Sequence, residues 1–291
     1  MADGIERTGA RARVSFSADD EGKRAVERYW LWYTLVWGSI TGVVMLGGFA
    51  ERWGDVPSLL FGVSLALGAL VPPFFLAPAS EREKSFWDRA AAQLGMLVVL
   101  LAFGLNYTQT PFFWDVLHMH YGFQATWTIQ NNPIFLYFVT VAYFSTYAAL
   151  LAITFRAMRR TLPAGLSFLA YVLAPLAMAF LETALNANPF MTSLFCYDDL
   201  PLMLGFGTLA YGVAFVFALP VFMHAKEGRR FPPLVLAGLL CGALYADLIT
   251  LDLLRYHVAP HLTTVETGAN GLRDYEGSCL ELPAHLREDG R

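Results

Sequence analysis

Residues 133–155 read PIFLYFVTVAYFSTYAALLAITF, a run without one charged side chain, and Arg156, Arg159 and Arg160 follow at once. A hydrocarbon layer about 30 Å thick needs roughly 20 mostly apolar residues per helix, so this stretch has the length and composition of a membrane span with a basic flank. Six further segments have the same character, near 29–50, 56–77, 90–109, 164–187, 201–223 and 233–254. The expected fold class is therefore all-α, a polytopic membrane helical bundle with about seven transmembrane helices. Pro72 and Pro73 fall inside the second segment, where a kink or break is expected.

Composition agrees with this reading, since 15% of residues are charged and 56% hydrophobic, where a soluble domain carries about a quarter charged. The net charge of −4, with Lys and Arg confined to short hydrophilic stretches, leaves no basic face for nucleic acid. Residues 1–28 contain no apolar run of signal-peptide length and read as a disordered tail without a cleavable export signal. No period of about 20 to 50 residues repeats, so residues 29–255 form one membrane domain, followed by a carboxyl-terminal tail over 256–291.

Basic residues fix an expected orientation. Arg7, Arg11, Arg13, Lys23, Arg24 and Arg28 precede the first span, and the following loop has only Arg52. The next loops alternate in the same way: Arg82, Lys84 and Arg89, then none, then Arg156, Arg159 and Arg160, then none, then Lys226, Arg229 and Arg230. The positive-inside rule then places the amino terminus in the cytosol, with the tail carrying Arg255, Arg273, Arg287 and Arg291 on the opposite side.

Polar chemistry gathers on that opposite side. Charged groups at membrane depth are costly, so Glu182, Asp247 and Asp252 each call for a partner or a function. Five residues apart, the two aspartates point about 140° away from each other on a helix. Glu182 reads equally well as a structural carboxylate and as a buried acid that keeps its proton at neutral pH. Asp252 is more simply an ion-pair partner of Arg255, three residues on. His118 and His120 do not share a helical face and lack a third ligand at metal spacing, so no metal is expected. The segment 110–131, with Phe112, Phe113, Trp114, Asp115, Tyr121, Phe123 and Trp127, lies in the interface either as an aromatic belt or as a lid. Cys196 and Cys279 fall on this same side and could pair if it is oxidising, although two free thiols are the more ordinary outcome.

Several stretches resemble the plant cycloeucalenol cycloisomerases of sterol biosynthesis, from about Asn106 to the carboxyl tail. They are Asn106-Tyr107, Phe113, Val116-Leu117, Trp127, Asn131-Asn132, Thr140, Tyr147 and Ile153-Thr154, then Leu181-Glu182-Thr183 with Asn188, Pro220, Leu251-Asp252-Leu253 with Arg255, Glu276-Gly277 and Cys279-Leu280. Their order and spacing carry the likeness, while Asp115 and Asp247 depart from the plant pattern and a one-residue gap falls between Tyr121 and Asn131.

The resemblance implies an intramolecular lyase that opens the 9β,19-cyclopropane ring of a sterol to give a Δ8 sterol, without cofactor. The sterol would enter from the lipid of a bacterial cell membrane or the endoplasmic reticulum. Glu182 is then the candidate acid, and Asp252, Asp115 or a water held near Asn131 the candidate base. Trp114, Tyr121, Trp127 and Tyr147 could shield the cation, at about 2 kcal/mol per aromatic face. Asn106, His118, Asn131, Asn132 and Asn188 complete the substrate-binding candidates.

Two other readings belong to different classes: a proton-coupled transporter, which needs polar groups along a whole path, and a sterol-binding protein without turnover. A retinal-type receptor is excluded, because Lys23, Lys84 and Lys226 all fall outside the spans as placed.

Overall fold

The structure is a computed structural model that describes residues 17–188, 190–197, 199–227 and 231–262. Its helices are α1 (Glu21–Leu46), α2 (Asp55–Leu70), α3 (Pro72–Leu76), α4 (Ala79–Arg82), α5 (Ala90–Asp115), α6 (Ile134–Thr161), α7 (Ala170–Asn186), α8 (Leu200–Leu202), α9 (Thr208–His224), α10 (Pro233–Leu253) and α11 (Ala259–Leu262). Seven helical segments among the described residues are long and apolar enough to cross a membrane. Four short strands, β1 (Met119–Tyr121), β2 (Thr128–Ile129), β3 (Asn132–Pro133) and β4 (Phe195–Tyr197), lie between spans.

The first span starts earlier than its hydropathy indicates. Asp20 caps α1 by accepting a hydrogen bond from the Lys23 backbone N–H at 2.7 Å, and the charged residues that follow are already helical. They are tolerated because they pair inside the bundle. Arg156 donates to both carboxylate oxygens of Glu27, at 2.8 and 3.0 Å, and to Glu227 at 2.7 Å. The Lys23 ammonium lies 3.4 Å from Glu227 and donates to the carbonyls of Phe222 and Ala225 at the end of α9. Lys23, taken as part of the tail on sequence, is thus inside the first helix and almost fully buried.

The second span does break at the prolines, and α1 repairs the break. A proline has no N–H for the carbonyl four residues back, so Pro72 and Pro73 deprive Gly68 and Ala69 of their donors. The Tyr29 hydroxyl donates to the Gly68 carbonyl at 2.6 Å, and the Trp30 indole donates to that of Ala69 at 3.0 Å. Without those donors each carbonyl would be left unsatisfied in hydrocarbon at a cost of several kcal/mol.

Helices α5 and α6 form the centre and are the most buried of the seven segments, whereas α10 is the least. Helix α2 lies along α6, where Gly62 permits the approach, since a Cβ there would sit 2.5 Å from the Phe135 carbonyl oxygen. Helix α7 packs on α9, and α10 bridges α5 and α9. Outward faces are apolar, as Trp32, Val43 and Leu46 of α1 and Leu234 and Tyr245 of α10 show.

The segment expected to lie in the interface divides in two. Residues 110–115 continue α5 through Pro111, because a proline late in the helix gives up one bond without stopping the chain. Beyond them, β1 pairs antiparallel with β4, with His120 opposite Cys196. Strands β2 and β3 form a two-residue hairpin in which Gln130 and Asn131 adopt φ of 53° and 58°, as a tight primed turn requires. The Asp55 carboxylate at the start of α2 fastens this hairpin by accepting from the N–H groups of Thr126 and Trp127 at 2.6 and 2.8 Å. At the other boundary, residues 256–262 extend the seventh span, where the sequence suggested tail.

Candidate functional site

A cavity with about 790 Å³ of empty space, counted out to its open mouth, lies between α5, α6, α7 and α9, with β1 and β4 across one end. Helix α5 contributes Asn106, Gln109, Thr110 and Phe113; α6 contributes Val139, Thr140, Tyr143 and Phe144; α7 contributes Glu182, Thr183 and Asn186; and α9 contributes Tyr211. Met119 and Tyr121 of β1 and Phe195 and Tyr197 of β4 complete the wall. Glu182 is the one carboxylate on it among the described residues.

Three side chains hold that carboxylate. The Tyr211 hydroxyl donates to Oε2 at 2.7 Å, the Asn186 amide approaches Oε1 at 3.4 Å, and the Tyr147 phenol lies within hydrogen-bonding reach. Threonines set the spacing of the two helices, for the Thr208 hydroxyl of α9 donates to that of Thr183 in α7 at 3.1 Å. Glu182 is half-buried, and no Lys or Arg forms an ion pair with it among the described residues. A carboxyl group in such a place can exchange a proton with a molecule bound in the cavity.

Across the cavity the polar groups are neutral. The Asn106 amide donates to the Thr140 hydroxyl at 2.6 Å, and its carbonyl oxygen accepts from Asn132 at 2.6 Å. Asn132, fully buried, also donates to Thr110 at 3.2 Å. Burial raises the pKa of both Tyr121 and Tyr197, so these phenols on the cavity wall stay protonated.

The structure therefore brings Glu182, Asn106, Tyr121 and, one layer back, Asn132 and Tyr147 to one place. It does not bring the others. Trp114 packs edge-on against His120 and Tyr121, behind the wall. His118 is buried behind the wall with φ of 52°. Trp127 is exposed on the hairpin and Asn131 forms its turn. Asn188 closes the end of α7, its amide donating to the carbonyls of Ala184 and Leu185.

Neither alternative carboxylate reaches the cavity. Asp252 is exposed on α10, and Arg255 turns instead to Asp115, with which it forms an ion pair. The expected Asp252–Arg255 pair fails because a π-helical turn over Leu254–Val258 redirects the side chains beyond α10 toward α5. Cys196 is disulfide-bonded, contrary to the expectation of a free thiol; Cys279 lies outside the described residues, and Cys241 is free.

Two further groups went unread in the sequence. Thr208 and Tyr211 are the only hydrogen-bonding side chains between residues 201 and 223, which was the available signal, and both touch α7 at the site. Gln109 lies on the cavity wall with Asp247 behind it.

The chain is 27% identical over 277 residues to the cycloeucalenol cycloisomerase of Arabidopsis thaliana, a similarity that covers 91% of this chain and 97% of that one. The likeness thus reaches well ahead of Asn106, where the sequence motifs first show it. No protein-family profile matches the chain, and no solved structure matches it.

Proposed function

We propose that this chain is a membrane-embedded sterol isomerase that opens the 9β,19-cyclopropane ring of a cycloeucalenol-type sterol to give a Δ8 sterol. The observation that carries the reading is Glu182: a carboxyl group held by phenols and an amide on the wall of an aromatic, largely apolar cavity. The name of the Arabidopsis relative supplies the substrate class.

Glu182 gives its proton to the bridging methylene carbon, and the electron pair of the carbon 9–methylene bond becomes the new C–H bond. The cation left at carbon 9 is flanked by the faces of Phe113, Tyr143 and Phe144, each able to contribute about 2 kcal/mol in a desolvated site. A proton then leaves the neighbouring carbon 8, and its bonding pair forms the double bond. With Asp115 committed to Arg255 and Asp252 exposed, the Glu182 carboxylate accepts that proton and ends the cycle as it began. The balance is closed, with no oxidant, reductant or net proton consumed.

Substrate reaches the cavity from the bilayer, and the amino terminus lies in the cytosol. A reporter fused after Arg160 is then cytosolic and one fused after Asn188 is not; matching signals from both would refute this orientation. The activity is tested by incubating purified protein in detergent with cycloeucalenol and following the upfield cyclopropyl protons by NMR. Their loss with a matching Δ8 product supports the reading. Tight binding with the ring intact would leave a sterol-binding protein, and neither binding nor turnover would return attention to proton-coupled transport.

A further inference from the structure

Asp247 sits in the interior of α10 with 0% of its surface exposed, in a part of the bundle that the proposed chemistry does not use. Both of its carboxylate oxygens lie near one group, the side-chain nitrogen of Gln109, at 3.4 and 3.5 Å. Gln109 belongs to α5, is 2% exposed and forms part of the cavity wall. Its amide oxygen is buried and has no hydrogen-bond partner among the described residues.

These facts fit together through the donor inventory. Asp247 lies at the nitrogen end of the Gln109 amide, so the amide oxygen points away from the Asp247 carboxyl group. A buried acceptor without a donor is costly, and a molecule that brings an O–H group supplies what is missing. The neighbouring polar groups are already committed to one another, through the bonds Asn106 to Thr140 and Asn132 to Asn106 and Thr110. Asn132 also has a free amide oxygen, but Asn132 is not on the cavity wall.

We propose that Gln109 is the receptor for the hydroxyl group of an otherwise apolar ligand, with Asp247 as the positioning residue that aims its amide oxygen. The inference rests on the sterol reading above and deepens it. A sterol has one hydroxyl at the end of a rigid ring system, and anchoring that group beside α5 sets the ring carbons toward Glu182 on α7.

The test uses two probes with the full-length protein in detergent, cycloeucalenol and its 3-ketone, which keeps the shape and an acceptor but has lost the donor. Wild-type protein should bind the alcohol at least about 10-fold more tightly than the ketone, because the site then pairs its acceptor only with the alcohol. Gln109→Leu should bind both about equally. Asp247→Asn should narrow the difference by strengthening ketone binding, since the freed amide can turn and present its N–H; a merely structural role for Asp247 would not produce that gain. Equal affinity of wild-type protein for alcohol and ketone overturns the proposal even if neither variant folds. Ring opening without any preference for the alcohol would overturn this inference alone, whereas failure to bind or convert either probe would overturn the sterol reading with it.

Discussion

Helix α6 carries two polar centres of opposite character, at Tyr147 and Arg156, about 13 Å apart along its axis. At Arg156 two cations and two carboxylates meet, Lys23 and Arg156 with Glu27 and Glu227, and carbonyls at the end of α9 absorb the remaining donors. Near Tyr147 stands Glu182, met only by neutral groups and facing empty space. The contrast separates two uses of buried charge. A compensated cluster joins α1, α6 and the end of α9, whereas an uncompensated acid beside a cavity is held in place and left free to react.

The sharpest way to break this contrast is Arg156→Ala, which strands Glu27 and leaves Glu227 with Lys23 alone. Losing one partner of a buried pair costs about 3–5 kcal/mol, so thermal unfolding in detergent should shift markedly downward, while protein that remains folded keeps its turnover. An unchanged melting temperature would mean that the cluster is ornamental. Glu182→Gln should do the converse. Turnover should drop by about 100-fold or more, roughly 2.7 kcal/mol of transition-state stabilisation, with little change in melting or in sterol binding. Ring opening near the wild-type rate would remove Glu182 from the chemistry.

Two smaller effects sharpen the boundary of the site. Tyr211→Phe removes the 2.7 Å donor to Glu182 but keeps the ring, and kcat should fall by about 10-fold with KM nearly constant. A change confined to KM would recast Tyr211 as a substrate contact. Asp252→Asn, at an exposed position away from the cavity, should leave rate within about 2-fold and stability within about 0.5 kcal/mol. A large loss of activity there would place a carboxylate at the reaction that the geometry does not.

Span positions were legible in the sequence because hydrocarbon thickness imposes a length on any run of apolar residues. Span ends were less so. Lys23 and Glu27 look like tail residues until Arg156 and Glu227, far away in sequence, neutralise them. Within the site, Glu182, Asn106 and Tyr121 stood out as polar groups beside apolar spans. Trp127, Asn131 and Asn188 stood out just as much, yet they serve a hairpin and a helix end. Motif spacing gives depth along a helix, whereas the direction a side chain takes around the axis is set by packing. The two π-helical turns, over Met203–Gly207 and Leu254–Val258, shift that direction in a way no periodic pattern announces. Asp247, which departs from the plant pattern, lies behind the cavity wall against Gln109.

The repair of the second span by the first has a consequence for biosynthesis. As the chain emerges from the ribosome, α2 and α3 carry two carbonyls that no residue within the span can satisfy, and their donors, Tyr29 and Trp30, have already been made. The energetics favour release of these two spans into lipid as a preassembled hairpin, since a lone second span would leave both carbonyls facing hydrocarbon. Replacing Tyr29 and Trp30 by Phe should therefore lower the fraction of nascent chains whose second span is inserted, measured by glycosylation mapping, before any effect on the finished bundle is seen.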